Sequence, residues 1–205
     1  MVILRIMNVF LGSQGLGALG GWLDELTPRP RRAVLVPTAG NPMASAPWVG
    51  VAEAAIEGAG LSVRRLDLEA AAPGEVAEVL AEADLVFVTG GYPIFLLQHA
   101  QRTGFVGAVQ QRVASGRLAY AGMSAGAALA AADLAGYRDD DDPGVVEDTS
   151  GLGLVSFYPL SHANRGREEL YARIIAEEGD RYDFVPIRDD QAVVVRNGVR
   201  AVRPS

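Results

Sequence analysis

The chain has 205 residues, enough for one sizeable core, so one α/β domain over residues 1–205 is the expectation. Hydrophobic residues at 49% and charged residues at 21% make it a globular chain rather than a disordered one, and a net charge of −7 argues against a nucleic-acid or anionic-membrane surface. The absence of cysteine excludes disulfides, thiolate metal sites and a cysteine nucleophile, and two histidines, His99 and His162, are too few for a multi-histidine metal site.

The first stretch, "MVILRIMNVFLGSQG", is apolar but broken by Arg5 and Asn8 and lacks a basic start, so it reads as a first buried strand rather than a signal peptide. No stretch approaches the length of a membrane span, and the expected location is cytoplasmic. "TPRPRR" is a basic, solvated loop leading into "RRAVLVPTAG", the next strand. "APWVGVAEAAIEGAG" places Val49, Ala52 and Ile56 on one helical face and ends on Gly60. "LSVRRLDL" is read as a further buried strand, "GEVAEVLAEA" as a helix presenting Val76, Val79 and Leu80, and "ADLVFVTGG" as a strand. "PIFLLQHAQRTGFVGAVQQRVASG" holds one or two helices, and "RLAYAGMS" is a strand running into the helical "AGAALAAADLAG". Strand alternating with helix predicts a mostly parallel sheet with helices on both faces. Beyond residue 136 come the acidic, turn-like "YRDDDDPGVVEDTSG", the strand-like "GLGLVSFYPLSHAN", and the helical "RGREELYARIIAEEGD". Two strands close the chain, "YDFVPI" and "QAVVVRNGVRAVRP", the latter turning at Asn197-Gly198.

The chemistry centres on Ser124 in Gly122-Met123-Ser124-Ala125-Gly126. Strand, G-x-S-x-G, helix is the setting of a nucleophile elbow: a sharp turn lifts the hydroxyl above the sheet, small neighbours avoid clashes, and N–H groups at the helix start favour a developing oxyanion. The competing reading is a serine that merely caps a Gly/Ala-rich helix. A serine nucleophile needs a base. His162 follows an apolar run and would stand at a strand end near the same sheet edge, whereas His99 falls inside a helix. A carboxylate must then orient the imidazole. Candidates are Asp139 to Asp142, Glu147, Asp148, Asp189 and Asp190; the four-aspartate run reads as a solvated loop, while Asp189 and Asp190 lie in a short loop between two paired strands. Thr89-Gly90-Gly91 ends another strand and could bring a backbone N–H to the oxyanion.

Four segments, "VFVTGGYPIFLL", "YAGMSAGAALAA", "GLGLVSFYPLSHANRGREELYARI" and "PIRDDQAVVV", together resemble peptidase family S51, which holds aspartyl dipeptidase (peptidase E) and cyanophycinase. The resemblance implies a three-layer α/β sandwich like that of class I glutamine amidotransferases, and a serine peptidase using serine, histidine and a late carboxylate. By motif these fall on Ser124, His162 and Asp189, with Asp190 as the alternative acid and with Gly91 and Ala125 N–H groups as the oxyanion hole. The family's pattern G-I/L-x-E-x-x-A is here Pro186-Ile187-Arg188-Asp189-Asp190-Gln191-Ala192, so an aspartate replaces the usual glutamate. Tyr92, Arg165 and Arg167 are candidate substrate contacts. Leu170 stands where aspartyl dipeptidase has the arginine that reads an acidic N-terminal residue, so strict Asp specificity is not expected. The implied activity is hydrolysis of short peptides, as an exopeptidase or dipeptidase, with no metal or cofactor and with a homodimer allowed. The rivals are an amidase or esterase with the same triad and a non-catalytic binding module.

Overall fold

The computed structural model describes residues 7–205. The first six residues of the opening apolar run lie outside the described residues, and the rest of it forms β1 (Asn8–Gly12). A short helix not foreseen from the sequence, α1 (Leu19–Asp24), follows; six residues with two glycines are too few to display a helical period. Then come β2 (Arg32–Val36), α2 (Pro47–Gly58), β3 (Ser62–Arg65), α3 (Glu75–Ala81) and β4 (Leu85–Val88). The long amphipathic stretch splits at Gly104, whose φ of 73° breaks it into α4 (Pro93–Arg102) and α5 (Phe105–Ala114). After these run β5 (Ala119–Met123), α6 (Ala125–Leu129), β6 (Tyr158–Ser161), α7 (Glu168–Glu178), β7 (Phe184–Ile187), β8 (Gln191–Arg196) and β9 (Val199–Pro204).

Seven strands form one sheet in the order β3-β2-β4-β5-β1-β8-β9. β3, β2, β4, β5 and β1 are mutually parallel; β8 and β9 add antiparallel to the β1 edge, joined by the predicted turn at Asn197-Gly198. Because side chains alternate along a strand, each central strand feeds two cores. Val9, Leu11, Val34, Val36, Val86, Val88 and Tyr120 pack on one face with α3, α4, α5 and α6. Phe10, Leu35, Phe87, Ala121 and Met123 pack on the other with α1 and α2. The expected α/β layering, with helices on both faces, is what forms.

Three expectations need correction. β3 is an edge strand of the sheet and three of its four residues are exposed, so within "LSVRRLDL" it is Leu61, Leu66 and Leu68, outside the strand, that are buried. The helix after Ser124 stops at Leu129 because the Gly151–Val155 segment takes over its remaining carbonyls: Leu152 N–H donates to Leu129 O (2.9 Å) and Leu154 N–H to Ala130 O (2.9 Å). β6 and β7 do not join the main sheet but form a separate parallel pair, so His162 does not follow a strand of the main sheet, and β7 and β8 are not paired with each other.

Candidate active site

The site lies where the C-terminal ends of the parallel neighbours β1 and β5 meet, a point at which the chain leaves in different directions and opens a crevice. β5 delivers Ser124 on a turn that few non-glycine residues adopt, φ 51° and ψ −108°. The two glycines of the motif are required by contact. A Cβ on Gly122 would come within 2.3 Å of Gly126 O, and one on Gly126 within 2.1 Å of Val88 O, so the turn is pressed against itself and against β4. The turn is also tied to β1 by Ser124 N–H donating to Gly12 O (3.0 Å).

The Ser124 hydroxyl makes no capping bond to α6. It lies instead 3.0 Å from His162 Nε2. His162 follows β6 and has a left-handed backbone, φ 63°. Its Nδ1 lies 2.7 Å from Asp189 Oδ1, a direct contact that needs no water despite the short side chain. Asp189 sits in the loop between β7 and β8, which spans the two sheets. That loop is fixed by Asp189 N–H donating to the Asn164 side-chain oxygen (2.8 Å) and by Gly15 N–H donating to Asp189 O (2.8 Å). Burial pushes the Asp189 carboxyl up, but hydrogen bonds from Ser13 and His162 and the charges of His162 and Arg165 more than offset it and hold the group below the ordinary carboxylate range. Asp190 points elsewhere, paired with Arg188 at 3.0 Å.

The β4 turn runs alongside. A Cβ on Gly90 would lie 3.1 Å from that of Ser124, and Gly91, at φ 142°, has no room for one beside Ala39 O. Tyr92 N–H is taken by Ala39 O (2.8 Å), whereas neither the Gly91 nor the Ala125 N–H has a backbone acceptor among the described residues. A cleft of about 640 Å³ opens over Ser124 and His162. Tyr92, Arg165, Arg167 and Leu170 all line it. Arg165 is partly committed already, its Nε contacting Asp189 Oδ2, and Arg167 donates to the Tyr171 hydroxyl (3.1 Å). His99 is buried within α4, and its imidazole is pushed down by burial and by Arg102. Among the described residues, no group of three His, Cys, Asp or Glu side chains is placed to hold a metal.

Sequence reasoning missed two residues here. Ser13 is fully buried, directly after β1; its hydroxyl donates to Asp189 Oδ1 (2.7 Å) and accepts from His162 N–H (2.7 Å). No local pattern marks it, because its partners meet it only once β1 lies beside β5. Asn164 was hidden in the "HANRGR" segment, with no pattern to mark it. The acidic run was also misjudged: Asp142 is not merely solvated but accepts from Ile94 N–H (2.7 Å) and Phe95 N–H (2.9 Å), satisfying the first turn of α4.

A sheet of this winding with a hydroxyl held on a strained turn against an imidazole defines a serine hydrolase. The chain belongs to peptidase family S51, whose model matches residues 12–202, and it is accordingly a peptidase. It is 34% identical over 148 residues to an uncharacterized peptidase of Pasteurella multocida, covering 70% of this chain and 71% of that one. It is 30% identical over 170 residues to an uncharacterized peptidase of Listeria monocytogenes, covering 81% and 82%. A crystal structure of a provisionally named peptidase E protein from Listeria monocytogenes superposes over 98% of this chain and 99% of that one, with a TM-score of 0.84 at 28% identity. A peptidase from an acI-B1 Actinobacterium shares the fold, with a TM-score of 0.72 at 19% identity and 98% and 89% coverage.

Proposed function

We propose that this peptidase cleaves short peptides with Ser124 as nucleophile, His162 as general base and acid, and Asp189 as the group that orients the imidazole. The observation that carries this reading is the unbroken chain of contacts from Ser124 Oγ to His162 Nε2 (3.0 Å) and from His162 Nδ1 to Asp189 Oδ1 (2.7 Å). With Nδ1–H donated to the carboxylate, Nε2 carries the lone pair that takes the hydroxyl proton as Ser124 Oγ attacks the peptide carbonyl. The carbonyl oxygen becomes an oxyanion, for which the unengaged N–H groups of Gly91 and Ala125 are the donors. His162 then gives its proton to the leaving amine, and an acyl-enzyme remains. Water attacks this ester, passes a proton to Nε2, and the proton returns to Ser124 as the acid product leaves.

Two features bear on substrate. A cleft of about 640 Å³ is the size for a peptide of a few residues, which favours a dipeptidase or exopeptidase. α7 presents Leu170, 41% exposed, to the cleft in place of a cation, so an acidic N-terminal residue gains no dedicated partner there.

The test has two arms. A fluorophosphonate should label Ser124, and Ser124→Ala should remove labelling and lower kcat by on the order of 10⁶-fold without unfolding the chain. Asp-X, Ala-X and Leu-X peptides at equal concentration should be cleaved without exclusive preference for Asp-X. Full activity in Ser124→Ala would overturn the mechanism, and exclusive Asp-X cleavage would show that Arg165 or Arg167 reads the acidic side chain. Amide and ester reporters in the same panel separate a peptidase from an amidase or esterase.

A further inference from the structure

The Ser13 hydroxyl has one proton and two lone pairs, and three groups compete for them. Asp189 Oδ1, at 2.7 Å, is an ionised acceptor, so Ser13 donates to it. The His162 backbone N–H, at 2.7 Å, can only donate, so Ser13 accepts from it. His162 Nδ1 lies at 3.2 Å, close enough to receive the Ser13 proton if nothing else claimed it. That alternative matters. An imidazole that accepts a proton bond at Nδ1 carries its own hydrogen on Nε2, and such a ring cannot take a proton from Ser124.

We propose that Ser13 is a positioning residue: its hydroxyl ties Asp189 to the His162 backbone, and because its one proton is committed to the carboxylate it has none to offer Nδ1, so Nδ1 keeps its own hydrogen and the imidazole stays in the basic form toward Ser124. This rests on the assignment of Ser124 and His162 made above. Three observations support it. Ser13 is fully buried, so no water competes for its hydroxyl. Its bond to His162 N–H supports a left-handed backbone that a histidine rarely adopts, φ 63°, and that turn sets the direction of the ring. Its neighbour Gly12 receives the Ser124 N–H, so the end of β1 sets the relative positions of nucleophile and base. With both Ser13 and the imidazole converging on Oδ1, the short side chain of Asp189 is held at direct contact, and Arg165 engages the other oxygen.

The test is a double-mutant cycle with Asp189→Ala. In the otherwise unsubstituted enzyme, Ser13→Ala should lower kcat roughly 10- to 100-fold with KM little changed, the effect of one lost buried hydrogen bond. In the Asp189→Ala background Ser13 is free to donate to Nδ1, so removing it should cost nothing or raise kcat. The chain has two histidines, so ¹⁵N spectra of labelled imidazole resolve the tautomer directly. Asp189→Ala should shift His162 toward the Nε2–H form, and adding Ser13→Ala should reverse that shift. If Ser13→Ala does not fold, Ser13→Cys carries the same comparison, since a thiol is a weak donor of similar size. Equal losses in both backgrounds, or no loss in either, would overturn the role of Ser13. Fluorophosphonate labelling of Ser124 in each variant keeps the two assignments apart: labelling retained with equal losses sinks Ser13 alone, whereas an unlabelled parent enzyme sinks the nucleophile.

Discussion

Asp189 shows how much a single side chain here depends on its neighbours. Replacing it with Asn keeps the volume but removes the charge that, on the proposed mechanism, fixes the imidazole, and kcat should fall by up to roughly 10⁴-fold in a steady-state assay. Neutralising Asp139, Asp140 and Asp141 together should leave kcat nearly unchanged, since these residues make no contact with His162. Asp142→Ala belongs to neither group: it strips two N–H groups of α4 of their acceptor and should cost about 1 kcal/mol of stability in denaturant titration. Asp189 also predicts a pH dependence. Its folded-state pKa lies below the ordinary value of 3.8, so its ionisation stabilises the fold above that value and the contribution fades as pH falls through the lowered one. The part of the stability difference between the parent and Asp189→Asn that comes from the Asp189 charge should therefore be lost as pH falls below about 3.8. Ser124, His162 and Asp189, which the structure brings into contact, could be singled out in the sequence because each sits in a recognisable segment, and their catalytic roles are the reading proposed above. Ser13 could not, because its role exists only once β1 lies beside β5.

At the scale of elements, the elbow is a contact between β5, β4 and the start of α6 rather than a turn in isolation. Gly126→Ala would drive a methyl to 2.1 Å from Val88 O, which neither backbone can yield without displacing Ser124. The expected result is a loss of about 2 kcal/mol or more in stability together with loss of activity, measured by thermal melts and by fluorophosphonate labelling of the folded fraction. The parallel strands were legible because, buried on both faces, they read as continuous apolar runs. The same property misled elsewhere. "SFYPLS" and "YDFVPI" are as apolar as the strands of the main sheet, so nothing in them announces a separate pair. Helix lengths failed for a similar reason: α6 has the composition to run on, but Gly151–Val155, which takes its last carbonyls, lies some twenty residues away in sequence. The basic "TPRPRR" loop likewise has a partner that sequence could not supply, with Arg29 donating to Ala59 O at the end of α2 (2.6 Å).

Taken whole, the molecule mounts Ser124 and His162, the proposed nucleophile and base, on different supports. Ser124 belongs to the seven-stranded sheet, with fully buried layers on both sides. His162 belongs to the β6–β7 pair, whose own packing with α7 involves only Leu160, Ala163 and Tyr171 as buried residues, and Tyr171 is the only buried residue of α7 itself. β7 is tied into the larger core through Val185 and Ile187, so it is α7 and its small cluster that hold little of the apolar interior and open at lower free energy than the main sheet. Heat should therefore silence the enzyme before it melts it: the half-inactivation temperature should fall below the midpoint followed by far-UV circular dichroism, and backbone amides of α7 should exchange with deuterium sooner than those of β4 and β5. Coincident midpoints would show that the two supports yield together. If they separate, the working limit of the catalyst is set by its smallest cluster of side chains, and filling that cluster is the direct route to a more heat-tolerant enzyme.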